Sequence, residues 1–168
     1  MKIATLLLFF LLSGSAQAAV EVTCIDESCL TSGWRITDLN SMRSNRVSCA
    51  NESCENEGWI ETDHFGRVRY EAICWRDGCF KSGWSGFVSD GRRLGALLVE
   101  LTCLQSASGQ DSDCLKYGWE VTDGFNVNKA ICREEDCRKK GWDLWTPGGI
   151  VRVRCKEKGC FTDGWHQF

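Results

Sequence analysis

Twelve cysteines are the side chains of this 168-residue chain best equipped for chemistry, and their spacing decides which chemistry is open to them. Six of them are each followed by three residues, a glycine and a tryptophan. The copies are Cys29 with Gly33 and Trp34, Cys54 with Gly58 and Trp59, Cys79 with Gly83 and Trp84, Cys114 with Gly118 and Trp119, Cys137 with Gly141 and Trp142, and Cys160 with Gly164 and Trp165. The other six, Cys24, Cys49, Cys74, Cys103, Cys132 and Cys155, each precede one copy, so no thiol is left over. Thiols in repeated pairs either oxidise to disulfides or hold zinc as thiolates. Zinc knuckles use a shorter spacing or mix in histidine, and His64 and His166 are the only imidazoles here. No metal and no cofactor are therefore expected. The even count predicts a disulfide framework pairing each adjacent couple: Cys24–Cys29, Cys49–Cys54, Cys74–Cys79, Cys103–Cys114, Cys132–Cys137 and Cys155–Cys160. Pairing between neighbouring copies stays open, because spacing alone does not fix connectivity. On the loop-entropy model a bridge closing six residues contributes about 2 kcal/mol.

Catalysis finds little support. A hydrolase needs a nucleophile, a base and an orienting group within reach of one another, and neither His64, in a turn beside Asp63, nor His166, near the C-terminus, sits in a nucleophile motif. No spacing argues for a pair of catalytic carboxylates. Asp38, Asp63, Asp90 and Asp123 recur after the strand that follows the tryptophan, where bonding to the turn backbone accounts for them. The acidic loops between paired cysteines lack the ordered ligand spacing of a calcium loop. The chain is not expected to be an enzyme.

Binding is better supported. Trp75 and Trp145 stand outside the repeat, Trp75 next to Arg76 and Trp145 just before the turn at Pro147, while Phe65, Phe87 and Phe125 occupy turn-side positions. Such rings offer large, rigid contact area at low entropic cost. Two outcomes are open for them: a binding surface for a carbohydrate or a protein, or tips folded over to cap the core.

These residues must be positioned by the repeat. Between the tryptophan of one copy and the first cysteine of the next, the sequence reads as strand, turn, strand. Arg35–Asp38, Ile60–Asp63 and Glu120–Asp123 are short β-prone runs, followed by turn residues at His64–Gly66, Asp90–Gly91, Asp123–Gly124 and Pro147–Gly149. The returning strands alternate, as in Val68, Tyr70, Ala72, Cys74 or Val151, Val153, Cys155, with Arg67, Arg69, Arg152 and Arg154 on the opposite face. Leu94–Leu101 is likewise read as a strand. Each preceding cysteine thus falls on the inward face, and Trp34, Trp59, Trp84, Trp119, Trp142 and Trp165 are predicted to fill the core. The glycine before each demands either positive φ or close approach of a neighbour.

The fold class predicted is all-β: six tandem disulfide-stapled β-hairpin repeats of about 25 residues, closed in a propeller- or trefoil-like manner by pairing of the N- and C-terminal strands. An open stack of hairpins is the alternative. Residues 1–18, with Lys2, an apolar run from Ile3 to Leu12 and a small-residue end at Ala18, read as a secretory signal peptide, leaving 19–168 as one cysteine-rich repeat domain. The apolar run is too short for a permanent membrane span. Without Lys2 the chain carries 23 acidic and 19 basic side chains, which disfavours nucleic acid as a partner. The expected location is periplasmic or secreted. Two functions are carried forward: a non-catalytic binding protein recognising an envelope glycan or a protein partner in a lectin-like, inhibitor or immunity role, and a disulfide-hardened structural component of the envelope or cell surface.

Overall fold

A computed structural model describes residues 20–89, 97–109, 111–123 and 125–168. Residues 1–18, read above as a signal peptide, Asp90 and Gly91, read as a turn, the first residues of the Leu94–Leu101 run and Gly124 lie outside the described residues. Twelve strands follow in chain order: β1 (Val20–Cys24), β2 (Trp34–Asp38), β3 (Arg43–Cys49), β4 (Gly58–Thr62), β5 (Val68–Cys74), β6 (Gly83–Val88), β7 (Leu97–Cys103), β8 (Gly118–Thr122), β9 (Val127–Cys132), β10 (Trp142–Thr146), β11 (Gly149–Cys155) and β12 (Trp165–Gln167). Every strand pairs antiparallel with both its sequence neighbours, and β12 pairs with β1, so the sheet closes into one barrel. The closed form is realised and the open stack is not. Closure takes the shape of a continuous barrel instead of separate blades, because each hairpin is bonded to the next across the cysteine loop.

All six adjacent cysteine couples are disulfides. This leaves no thiolate set for zinc and places the protein in an oxidising, non-cytoplasmic compartment. The strand that leaves each cysteine loop brings its tryptophan into register with the first cysteine of the couple: Cys24 opposite Trp34, Cys49 opposite Trp59, Cys74 opposite Trp84, Cys103 opposite Trp119, Cys132 opposite Trp142 and Cys155 opposite Trp165. On its other side each indole meets an aliphatic residue: Val47, Ala72, Leu101, Ala130, Val153 and Val22. The six tryptophans are buried. They form a layer across the barrel, with ring centroids 4.8 Å apart for Trp59 and Trp84 and 5.1 Å for Trp119 and Trp142.

Both reasons for the preceding glycine operate together. Gly118 has φ 104°, and a Cβ there would run into the carbonyl oxygen of Ala130 on the paired strand; the other five stand in the same relation to their own partner strands.

The cysteine loops build a second ring. The N–H of Cys54 donates to the carbonyl of Leu30, Cys79 to Glu55, Cys114 to Phe80, Cys137 to Leu115, Cys160 to Arg138, and Cys29 to Phe161, at 2.7 to 2.9 Å. In each case the acceptor follows the second cysteine of the preceding repeat. The chain thus closes twice, once through strands and once through loops. Phe80 and Phe161, three repeats apart, meet across this end with centroids 5.6 Å apart, and Glu55 and Arg138 form the equivalent opposed pair at 3.8 Å. Among the described residues helix is confined to these loops: the single α-helical turns α1 (Cys29–Ser32) and α2 (Cys137–Lys140), each started by a side-chain cap from Ser28 or Asp136, and 3-10 turns at Ala50–Glu52 and Arg133–Glu135.

The interior is apolar around the indole layer, and the outer face is mixed: Arg35, Glu100, Thr102 and Lys129 are exposed, as are Ile60, Ile73 and Ile131. Charged side chains on the wall are unlike the apolar band of a membrane-spanning barrel. Among the described residues no helix is long and apolar enough to cross a membrane.

Candidate functional site at the hairpin tips

The end of the barrel opposite the disulfides is formed by the hairpin turns, and side chains at the turn entries hold them. Asp38 accepts from the N–H groups of Asn40 and Ser41 through Oδ1, at 2.8 and 3.1 Å. Asp63 Oδ1 accepts from Phe65 and Arg67 N–H, and its Oδ2 takes the guanidinium groups of Arg67 and Arg69 at 2.9 and 3.1 Å. Asp123 does the same for Phe125 and Asn126 N–H, and Thr146 Oγ1 accepts from Gly148. Burial pushes the Asp63 carboxyl up, but the Arg67 N–H and guanidinium and the Phe65 N–H outweigh it and hold the group at about 2. Asp123 is shifted down in the same way: burial opposes, and the turn N–H groups of Asn126 and Phe125 prevail. These aspartates serve their own turns, as the sequence indicates.

Beyond the braced turns, large apolar side chains stand in solvent. Phe125 is 90% exposed, Met42 74%, Phe65 70%, Val127 67%, Phe168 54% and Trp145 51%. Leu39 and Val68 add to the same end. The tips therefore do not fold over to cap the core. Val68 belongs to this rim instead of the interior because a register shift at Glu61/Thr62 breaks the alternation of β5.

A cation accompanies four of these groups. Arg67 lies over the Phe65 ring, 4.9 Å from its centroid; Lys129 is directly opposite Trp145; Arg152 exchanges backbone hydrogen bonds with Phe168; and Arg43 follows Met42. The described tip segments 38–46, 62–69, 122–129 and 145–152 carry six basic and three acidic side chains, and two of those cations stand opposite acids just outside them: Lys129 is bonded to Glu120 at 3.2 Å, and Arg152 faces Asp143. The six loops between each first cysteine and its tryptophan carry nine basic and thirteen acidic ones. The molecule is thus electrically polarised along its axis, basic at the tips and acidic at the disulfides.

Of the aromatic candidates read from the sequence, Phe65, Phe125 and Trp145 are found at the tip end, each on a different hairpin. Trp75 and Arg76 do not: they follow Cys74 into a disulfide loop at the other end, where Trp75 is half-buried and its Nε1 donates to Ser85 Oγ at 3.0 Å. Phe87 lies half-buried on the outer wall, opposite Glu71 and Leu98. Leu39, Met42, Val127 and Phe168 belong to the tip end and were not singled out by sequence; their position beside a turn residue was the available signal.

Beneath the tips the interior is polar. Glu61, Gln167 and Asn128 are buried there on the inward face, and Asn45 Nδ2 donates to Glu61 Oε1 at 2.7 Å. Tyr70 Oη accepts from Trp84 Nε1 at 2.9 Å, and a side chain at Gly86 would collide with the Tyr70 ring. Burial raises the Tyr70 hydroxyl well above its ordinary range, the Trp84 bond opposes, and the Glu61 charge adds to the rise, so the phenol stays neutral. A cavity beside Glu61 and Tyr70 has room for about one water, too little for a sugar or a cofactor. His64 stacks on Phe65 at a tip, whereas His166 lies on β12 opposite Glu21. The geometry offers a surface for contact, and no constellation of nucleophile and base accompanies it among the described residues.

No family model matches the chain, and neither the curated proteins nor the solved structures contain a match to it.

Proposed function

We propose that this is an exported, non-catalytic binding protein of the periplasm or extracellular space, which engages one envelope partner through its hairpin-tip end. The observation that carries the reading is that the most exposed large apolar side chains, among them Phe125, Met42, Phe65 and Trp145, stand at one end of the barrel, beyond the less exposed Ile60, Ile73 and Ile131 of its wall. The tip sequences differ from one another, so the end presents one composite surface and not six equal sites of the lectin kind. The aspartates that might have served sugar hydroxyls are committed to their turns. A structural role through strand addition is disfavoured because the ring of described strands has no unpaired edge.

The test is site-specific photo-crosslinking in living cells. A photoreactive phenylalanine at position 125 should give a discrete envelope adduct, while one at Thr31, exposed in a disulfide loop, should give none. Equal adducts from both positions, or none from either, would remove the tip end as the contact surface.

A further inference from the structure

The surface just described carries two chemistries, exposed apolar side chains and cations beside several of them, and their combination identifies what it faces. Resting on the tip-end reading, we propose that this end docks peripherally on an anionic lipid surface, with the apolar tip residues entering the headgroup region and the adjacent cations meeting phosphates. The apolar groups occur on several turns and strand ends spaced around a closed ring, so they project as separate prongs. A rigid protein partner would need a matching hollow for each prong; a headgroup layer yields to all of them at once. Aromatic rings paired with snorkelling Arg or Lys are the combination favoured at a membrane interface.

Charge points the same way. The described tip segments carry a basic excess, reduced at Lys129 by its ion pair with Glu120, and Asp38, Asp63 and Asp123 spend their charge inside their turns. Asp63 neutralises only one of the two arginines that it contacts. The opposite, disulfide end has an acidic excess and would be repelled from the same surface. An anionic layer therefore fixes orientation as well as contact, with the barrel axis along the membrane normal.

Trp145 gives a direct readout, since it is the one exposed tryptophan among the described residues; the six core indoles are buried and Trp75 is half-buried. The oxidised, purified protein is mixed with vesicles of phosphatidylglycerol and phosphatidylethanolamine, or of phosphatidylcholine alone. Co-sedimentation should be at least about tenfold stronger with the anionic vesicles and should fall as salt rises to about 0.5 M. Emission should shift to the blue, and Trp145→Phe should abolish the shift. Phe125→Ser should weaken binding about tenfold, and Phe65→Ser similarly, with unchanged thermal midpoints showing that the barrel is intact. Equal binding to both vesicle types, or full binding by a variant that combines Phe65→Ser with Phe125→Ser, would overturn the proposal. Should vesicles fail while crosslinks from position 125 persist, the lipid assignment falls and the tip-end reading stands; loss of both removes the two together.

Discussion

At the scale of single residues, Asp63 shows how a short polar side chain can fix a loop. Its two oxygens accept from two backbone N–H groups and two guanidinium groups, and the carboxyl is held at about 2 although burial opposes ionisation. An unfolded aspartate titrates near 4, so the folded value is the depressed one. The stability that it contributes is fully present above about pH 4 and is lost as pH falls through about 2. Asp63→Asn should therefore cost about 1 kcal/mol at neutral pH, a figure kept small because Arg67 is largely solvated. The gap between variant and parent should close as the pH of the thermal melts is lowered from 4 to 2. A constant gap across that window would assign the contribution to the turn hydrogen bonds alone, which asparagine retains in part. Such turn residues were legible in the sequence because they act locally. Glu61 was not: it occupies the inward position two residues after Trp59, where Ile36 and Leu144 stand in other copies, and only the strand phase betrays it.

At the scale of elements, the cysteine loop is the unit that the rest of the repeat obeys. The two-residue steps of β-structure, counted from the first cysteine, bring Trp34 opposite Cys24 and Trp59 opposite Cys49 on the same face, so the disulfide and the indole occupy one layer. That relation survives in the fourth copy, where the Cys103–Cys114 loop is longer and carries its own bridge between Gln105 and Ser112. The insertion extends outward and leaves the register of Cys103 with Trp119 intact. Replacing Cys132 and Cys137 together by alanine should cost about 2 kcal/mol in denaturant titrations, and replacing Cys103 and Cys114 about 3 kcal/mol because the loop released is longer. The opposite order would show that the ring of loop hydrogen bonds, and not chain entropy, sets the contribution. Repeat, strand phase and bridge pattern were all readable because each depends on spacing within about 25 residues. What spacing does not encode is contact between distant copies. Phe80 against Phe161 and Glu55 against Arg138 are pairs three repeats apart, visible only once the ring has closed.

At the scale of the whole molecule, closure explains both the stability and the polarity of the barrel. The two chain ends supply the last hairpin position: Val20 faces Gln167 and Val22 faces Trp165, with the same face relations found in the continuous hairpins. Gly164 approaches the carbonyl of Val22 as Gly118 approaches that of Ala130, so β12 and β1 are packed as a repeat and not merely abutted. Closure also sorts the molecule into two ends, since every cysteine loop leaves the sheet on one side and every turn on the other. If the ring is closed by equivalent interfaces, where the chain is cut should matter little, provided that the cut falls at a tip. A circular permutant joining Phe168 to Val20 through a short glycine-serine linker, and opened between Pro147 and Gly148, tests this directly, because both of those residues are exposed and neither belongs to a strand pair. It should form the same six disulfides and melt within a few degrees of the parent. Opening the chain between Glu134 and Glu135 instead leaves the strands uncut but severs a segment bounded by Cys132 and Cys137, and it should depend on that bridge to hold the barrel shut. A tip permutant that exposes free thiols or self-associates through its new ends would mean that the β12–β1 contact is weaker than the other five, and that the barrel is a latched sheet instead of a ring of equals.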